Sequence, residues 1–107
     1  MSRIIATAGV QSFSNGVAVS RDGSTLLVSD GGGGSHAIHE FSVAGGSRLR
    51  VVGGAGDGPL QFKNPRQVWI ADDDHVFVAD YGNNRVQVLT PRLDFHGFVG
   101  VGRWRVR

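Results

Sequence analysis

An internal repeat is the feature that most constrains the fold of this sequence. Residues 15–53 align with residues 64–100 at a period of about 47 to 51 residues, with small gaps. Such a period indicates that the chain builds one supersecondary unit twice and buries a core between the copies. The aligned segments are 15–19 with 64–70, 27–30 with 77–80, 38–42 with 86–90, and 51–53 with 98–100.

Each repeat contains four short apolar runs separated by turn residues. The runs are rich in Val, Ile, Phe and Trp and end at Asp, Gly or Asn, which predicts β-strands. Val76–Ala79 is apolar at successive positions, so both faces of that strand are expected to be covered. The sequence therefore predicts an all-β fold of two four-stranded antiparallel sheets. The predicted strands lie near 16–20, 25–30, 37–42 and 48–53 in the first repeat, and near 66–71, 75–80, 84–90 and 95–100 in the second.

Two turn patterns and the chain ends complete this organisation. Asp22-Gly23 and Asp72–Asp74 are placed to connect the first two strands of each repeat. Ile4–Ala6 predicts an extra N-terminal strand, similar to the fourth strand of a repeat, and residues 101–107 are expected to form a basic tail. The first unit is expected over about residues 13–53 and the second over about residues 62–100. Both ends resemble cuts in a longer array, so a fragment is favoured over a complete unit.

Composition limits the classes of protein that remain. There is no cysteine among the 107 residues, which excludes disulfides and cysteine metal sites. No apolar run approaches the roughly 20 residues of a membrane-spanning helix, and the strand interpretation of residues 4–10 is preferred to a signal peptide. A cytoplasmic location is therefore expected. The net charge of +2 permits contact with anions without requiring it, and the 17 glycines fit many tight turns.

Two motifs in the second repeat resemble the NHL repeat family. They are Gly-Asp-Gly-Pro-Leu-Gln-Phe-Lys-Asn-Pro-Arg-Gln-Val at 56–68 and Val-Phe-Val-Ala-Asp-Tyr-Gly-Asn-Asn-Arg-Val-Gln-Val at 76–88. The resemblance implies a β-propeller, commonly six-bladed, of which two repeats are a third. It also implies a structural ion pair between Asp80 and Arg85. In the first repeat Asp30 remains, whereas Ala37 or His36 stands where the arginine is expected.

Two blades alone leave two outer sheet faces uncovered. Strands of this length present roughly 600 Å² of mostly apolar outer face, at the upper limit of about 300–600 Å² for a soluble monomer. Burial of that area is worth up to ~15 kcal/mol at ~25 cal/mol per Å². Self-association, or further blades that cover these faces, is therefore expected.

One edge of the second unit is the candidate binding surface. Because the first two strands are antiparallel, the loop that enters the first and the loop that leaves the second lie on one rim. This rim is basic, rich in amides and contains an aromatic ring, and the opposite rim holds Asp72–Asp74 partly countered by Arg92. A protein partner is the first hypothesis and single-stranded RNA the second. The candidate residues are Lys63, Asn64, Arg66, Tyr81, Asn83 and Asn84.

Catalytic, cofactor and metal motifs are not recognisable in the sequence. The glycine clusters at 31–34 and 53–58 lack the strand–helix context and the Lys-Ser/Thr of a phosphate loop. His36 and His39 are three apart, which places them on opposite faces of a strand, while His75 and His96 fall in different strands. A binding or scaffolding module without cofactor or metal is therefore favoured over an enzyme. The alternative that the chain is part of a metal-dependent NHL-propeller enzyme stays open.

Overall fold

Strands form nearly all the regular structure of this chain. The structure, a computed structural model, describes residues 14–31 and 34–100. The predicted strand at Ile4–Ala6 and the basic tail at 101–107 lie outside the described residues. In chain order the strands are β1 (Ser14–Val19), β2 (Thr25–Asp30), β3 (Ala37–Ser42), β4 (Arg48–Val52), β5 (Gly54–Ala55), β6 (Gln61–Phe62), β7 (Pro65–Ile70), β8 (Val76–Asp80), β9 (Arg85–Leu89) and β10 (Phe95–Val99).

The strands form two antiparallel meanders, which confirms the predicted all-β class. The first sheet has the order β1-β2-β3-β4, and the second sheet has the order β7-β8-β9-β10. A short 3-10 turn, Tyr81–Asn83, connects β8 to β9. Within the described residues no helix is long and apolar enough to cross a membrane.

The hairpin turns form where turn residues interrupt the apolar runs. Gly23 has φ +77°, and Asp22 accepts hydrogen bonds from the Ser24 amide at 2.9 Å and the Ser24 hydroxyl at 2.7 Å. In the second sheet Asp74 takes the left-handed conformation with φ +71°, and its amide donates to the Ala71 carbonyl at 2.9 Å. Both predicted turns between the first two strands are confirmed.

The main core lies between the two sheets. Apolar side chains from each sheet meet there, and Phe62 of β6 is completely buried among them. Transfer of a side chain of this size out of water stabilises the fold by about 1.5–3 kcal/mol. The buried members of this core are Leu27, Ile38, Phe62, Val68, Val76, Val78, Leu89 and Leu93.

Two glycines allow the sheets to approach closely. A Cβ on Gly16 would lie 2.8 Å from the Cα of Gln67, and a Cβ on Gly31 would lie 2.6 Å from the Cα of Asn64. The Ser29 hydroxyl donates a hydrogen bond to the Arg66 carbonyl across the same contact. The first sheet therefore packs on the start of β7 with little space for side chains between the backbones.

The outer faces of both sheets keep apolar side chains in contact with solvent. Val17 and Val19 of the first sheet are 58% and 55% exposed, and Trp69 and Val99 of the second are 49% and 51% exposed. These positions lie on the two outer faces that a pair of sheets by itself is expected to leave uncovered.

The connection between the sheets contains structure that the sequence analysis missed. The glycine cluster at 53–58 fits tight turns, but Gly54–Ala55 pairs in parallel with Gln61–Phe62. A two-residue strand is too short to show a hydrophobic period, so no sequence signal predicts it.

Candidate functional site

The turn after β8 and the segment before β7 meet at one edge of the second sheet. The loops at 63–66 and 81–84 are together called the upper rim. The Gly82 amide donates to the Lys63 carbonyl at 2.7 Å. A Cβ on Gly82 would lie 2.6 Å from that carbonyl oxygen, so only glycine fits this contact without a shift. The structure thus brings the six candidate residues of the sequence analysis onto one rim.

Arg66 and Tyr81 form the most distinctive pair on this rim. The guanidinium carbon of Arg66 lies 4.0 Å from the centroid of the Tyr81 ring. Tyr81 is 57% exposed, and both Arg66 and Lys63 are exposed. A cation over an aromatic face gains about 0.5–1 kcal/mol at an exposed site.

The three asparagines of the upper rim shape the loops. Asn64 and Asn84 adopt left-handed φ angles of +53° and +54°, which asparagine tolerates better than most residues. The Asn83 side-chain amide donates to the Gly56 carbonyl and to Asp80 Oδ2, each at 2.9 Å. Lys63, Arg66 and Tyr81 therefore supply the outward-facing chemistry, and the asparagines hold the backbone that presents them.

A buried ion pair lies directly below the upper rim. Arg85 Nε donates to Asp80 Oδ2 at 2.9 Å, and the side chains are only 7% and 0% exposed. The Arg85 guanidinium also donates to three main-chain carbonyls and packs against the Phe98 ring at 3.9 Å. The carbonyls belong to Asp57 at 2.7 Å, Gly58 at 3.1 Å and Gln61 at 3.1 Å.

The same network fixes the connection that leads into the upper rim. Asp80 Oδ1 accepts the Lys63 amide at 2.7 Å. Gln87, which is fully buried, accepts the Leu60 amide at 2.6 Å and donates to the Gln61 carbonyl at 3.0 Å. Because its polar groups are paired with buried side chains, the connection is anchored to the second sheet.

The family comparison matches this part of the molecule. The model of the NHL repeat matches residues 62–89, which include the buried ion pair and the upper rim. The chain carries an NHL repeat. No curated protein matches the chain.

The first sheet differs from the second sheet at the ion pair. Ala37 lies opposite Asp30 in the same register that places Arg85 opposite Asp80, so alanine rather than His36 occupies the arginine position. His36 instead accepts the Asn64 amide on Nδ1 at 2.9 Å, on the upper-rim side of the molecule.

A different polar cluster surrounds Asp30. The Ser35 hydroxyl donates to Asp30 Oδ2 at 2.6 Å, and His39 Nε2 lies 3.3 Å from that hydroxyl and 3.8 Å from Asp30. Burial lowers the pKa of His39, Asp30 opposes the shift, and Arg48 adds to it. A catalytic relay needs the carboxylate and the serine on opposite ring nitrogens, whereas here both lie on the Nε2 side.

Two other histidines meet although the sequence analysis placed them apart. The His75 and His96 rings contact edge to face with centroids 4.9 Å apart, and His75 Nδ1 lies 3.2 Å from Asp73 Oδ2. The register of β8, β9 and β10 brings them together, and single-sequence patterns do not reveal that register. Across residues 14–31 and 34–100, no group of three or more His, Asp or Glu side chains could hold a metal ion.

Proposed function

We propose that the two sheets are neighbouring blades of an NHL-type β-propeller that acts as a protein-binding module. NHL repeats commonly mediate protein–protein interaction, and the match covers the loops of the upper rim. The meander order of each sheet and the close packing of β7 on the first sheet support the blade arrangement.

The Arg66–Tyr81 stack is the observation that carries the proposed binding site. A guanidinium that stacks by its face keeps its N–H edges for a carboxylate, and Arg binds carboxylates in a bidentate manner. Lys63 adds a second exposed cation on the same rim. The partner that this chemistry fits is an acidic segment of another protein.

The anchored loops support binding without a large ordering cost. The Asp80–Arg85 network and the Gln87 side chain hold residues 57–63 by hydrogen bonds from buried groups. A surface that is ordered before binding loses less conformational entropy when the partner arrives. The upper rim is therefore a preorganised surface.

RNA is the weaker candidate for the same rim. The Arg66 guanidinium already covers one face of Tyr81, the only aromatic residue of the described upper rim, which reduces its use for base stacking. Protein binding is therefore preferred.

A binding titration with an oligo-glutamate peptide tests the proposal. Arg66→Ala should weaken binding about tenfold, Tyr81→Ala should weaken it less, and Tyr81→Phe should bind like the parent because the ring remains. Arg92→Gln, a substitution of an exposed arginine outside the upper rim, is the matched control and should change little.

An oligo-uridylate titrated in parallel distinguishes the RNA alternative. Affinity for the nucleic acid that exceeds affinity for the acidic peptide, with a steep loss as salt rises, would replace the protein proposal with RNA binding. If Arg66→Ala binds the oligo-glutamate peptide as tightly as the parent chain does, the upper rim is not the binding site.

A further inference from the structure

A crevice opens beside the upper rim, where the loop before β3 approaches the connection that leads into β7. Its volume is about 440 Å³, within the range of about 300–1,000 Å³ that is typical of ligand sites. His36 of the first sheet lines it together with Phe62 of β6 and with Lys63 and Asn83 of the upper rim. The crevice therefore lies where loops of the two sheets meet and does not belong to an outer face of either sheet.

The backbone conformation at His36 does not require a histidine. His36 directly precedes the residue opposite Asp30 as Asn84 directly precedes the residue opposite Asp80, so the two positions are equivalent in the repeats. Both have left-handed φ angles, +50° at His36 and +54° at Asn84. Asparagine tolerates this conformation better than most residues, so the asparagine of the second repeat would serve the backbone of the first as well. The presence of an imidazole must therefore be explained by its contacts.

A hydrogen bond to the main chain fixes which ring nitrogen of His36 carries the proton. Nδ1 accepts the Asn64 amide at 2.9 Å, so this nitrogen carries no proton. A neutral imidazole that accepts at Nδ1 is a donor at Nε2. Because His36 lines the crevice, its Nε2–H is the donor that the ring offers to a group bound there.

Besides His36, the titratable residues of the crevice lining are Lys63 and Asp57. The main chain of Lys63 is held on both sides, since its amide donates to Asp80 Oδ1 and its carbonyl accepts the Gly82 amide, each at 2.7 Å. The Lys63 ammonium group extends from this fixed backbone and favours an anion in the crevice, whereas the Asp57 carboxylate opposes one. An N–H donor together with an ammonium group suits a carboxylate ligand.

We propose that the crevice binds one carboxylate side chain of the acidic partner, with the His36 Nε2–H and the Lys63 ammonium group as its donors. This inference rests on the proposed function, because it assigns a further residue, contributed by the first sheet, to the site that binds the acidic segment. Lys63 belongs to both the crevice and the upper rim, so the two surfaces are continuous.

Titration of the 107-residue chain with a labelled oligo-glutamate peptide at neutral pH tests the proposal. His36→Asn is the decisive variant. Asparagine keeps the left-handed φ and an acceptor oxygen for the Asn64 amide, but it does not reach the position of Nε2. The variant should weaken binding about fivefold, and its midpoint of urea unfolding should stay that of the parent chain.

Asp57→Asn should have the opposite effect and strengthen binding about twofold, because it removes a charge that opposes the carboxylate. This result does not depend on how His36 affects folding. His96→Asn is the matched control, because it removes an exposed imidazole outside the crevice and should leave binding unchanged.

Arg66→Ala, measured alongside, separates failure of this inference from failure of the proposed function. If Arg66→Ala weakens binding and His36→Asn does not, His36 serves only to hold the backbone at Asn64, and the crevice is not part of the site. If neither variant weakens binding, the proposed function fails together with the inference. Unchanged or weaker binding by Asp57→Asn would also contradict a carboxylate in the crevice.

Discussion

His39 gives the first sheet a titratable side chain at a position where the second sheet has a neutral one. It occupies the position of Gln87, because it lies opposite Val28 as Gln87 lies opposite Val78. An amide is neutral at every pH, whereas an imidazole titrates near pH 6.5 in an unfolded chain. Asp30 and Arg48 are the charged groups that act on it.

Acid should therefore destabilise the first sheet through His39. Burial lowers the pKa of His39 in the folded chain below its ordinary value of 6.5. The unfolded chain then binds more protons, so the free energy of unfolding decreases as the pH falls below about 6.5. His39→Gln should flatten this dependence in urea titrations at a series of pH values.

His96→Gln serves as the matched control for this experiment. His96 is exposed, so its replacement should leave most of the pH dependence intact. If the free energy of unfolding of His39→Gln falls with pH as steeply as that of the parent chain, His39 is not the source of the pH dependence.

At the scale of elements, the contact between the sheets depends on backbone approach as much as on the apolar core. Gly31 ends the buried run of β2 and lies against the segment that leads into β7. Ser29 contributes a hydrogen bond to the same segment. The position of β7 is therefore sensitive to the smallest added side chain.

Gly31→Ala should lower the free energy of unfolding by about 1–3 kcal/mol, because a new methyl group must displace the backbone at Asn64. Gly97→Ala in β10 is the control, since a Cβ there meets nothing within 4 Å. Urea unfolding of the two variants provides the measurement. If Gly31→Ala is as stable as Gly97→Ala, the free energy of unfolding does not depend on the close backbone contact at Gly31.

At the scale of the whole molecule, the two outer faces differ in what they can accept. The outer face of the second sheet exposes the bulky Trp69 together with Val99. The face of the first sheet exposes smaller aliphatic side chains, namely Val17, Val19, Leu49 and Val51. The expectation that a second copy or further repeats cover both outer faces stays a prediction, and the smaller side chains of the first sheet leave more room for a neighbouring sheet.

Light scattering of the 107-residue chain should therefore show a mass that rises with protein concentration. Val17→Lys with Val19→Lys should restore the monomer mass, because charges on that face oppose burial. Val99→Lys on the second sheet is the matched control and should leave association unchanged. A monomeric mass at every protein concentration would contradict the prediction of self-association.

Local periodicity and turn chemistry are enough to predict the repeat, the strand class and the NHL resemblance. The eight main strands differ from their predicted bounds by at most two residues. The Asp80–Arg85 pair was implied by the resemblance, but its three carbonyl partners come from a segment 24 to 28 residues away. Local patterns carry no information on such contacts.

The folded structure was needed to establish which residues contact each other across strands and between sheets. It assigned Ala37 to the arginine position, brought His75 to His96, and placed Arg66 on Tyr81. It also revealed that Gly16 and Gly31 allow the two sheets to pack closely. These features depend on register and on the distance between sheets, which are set by the packing of the whole chain and not by any run of neighbouring residues.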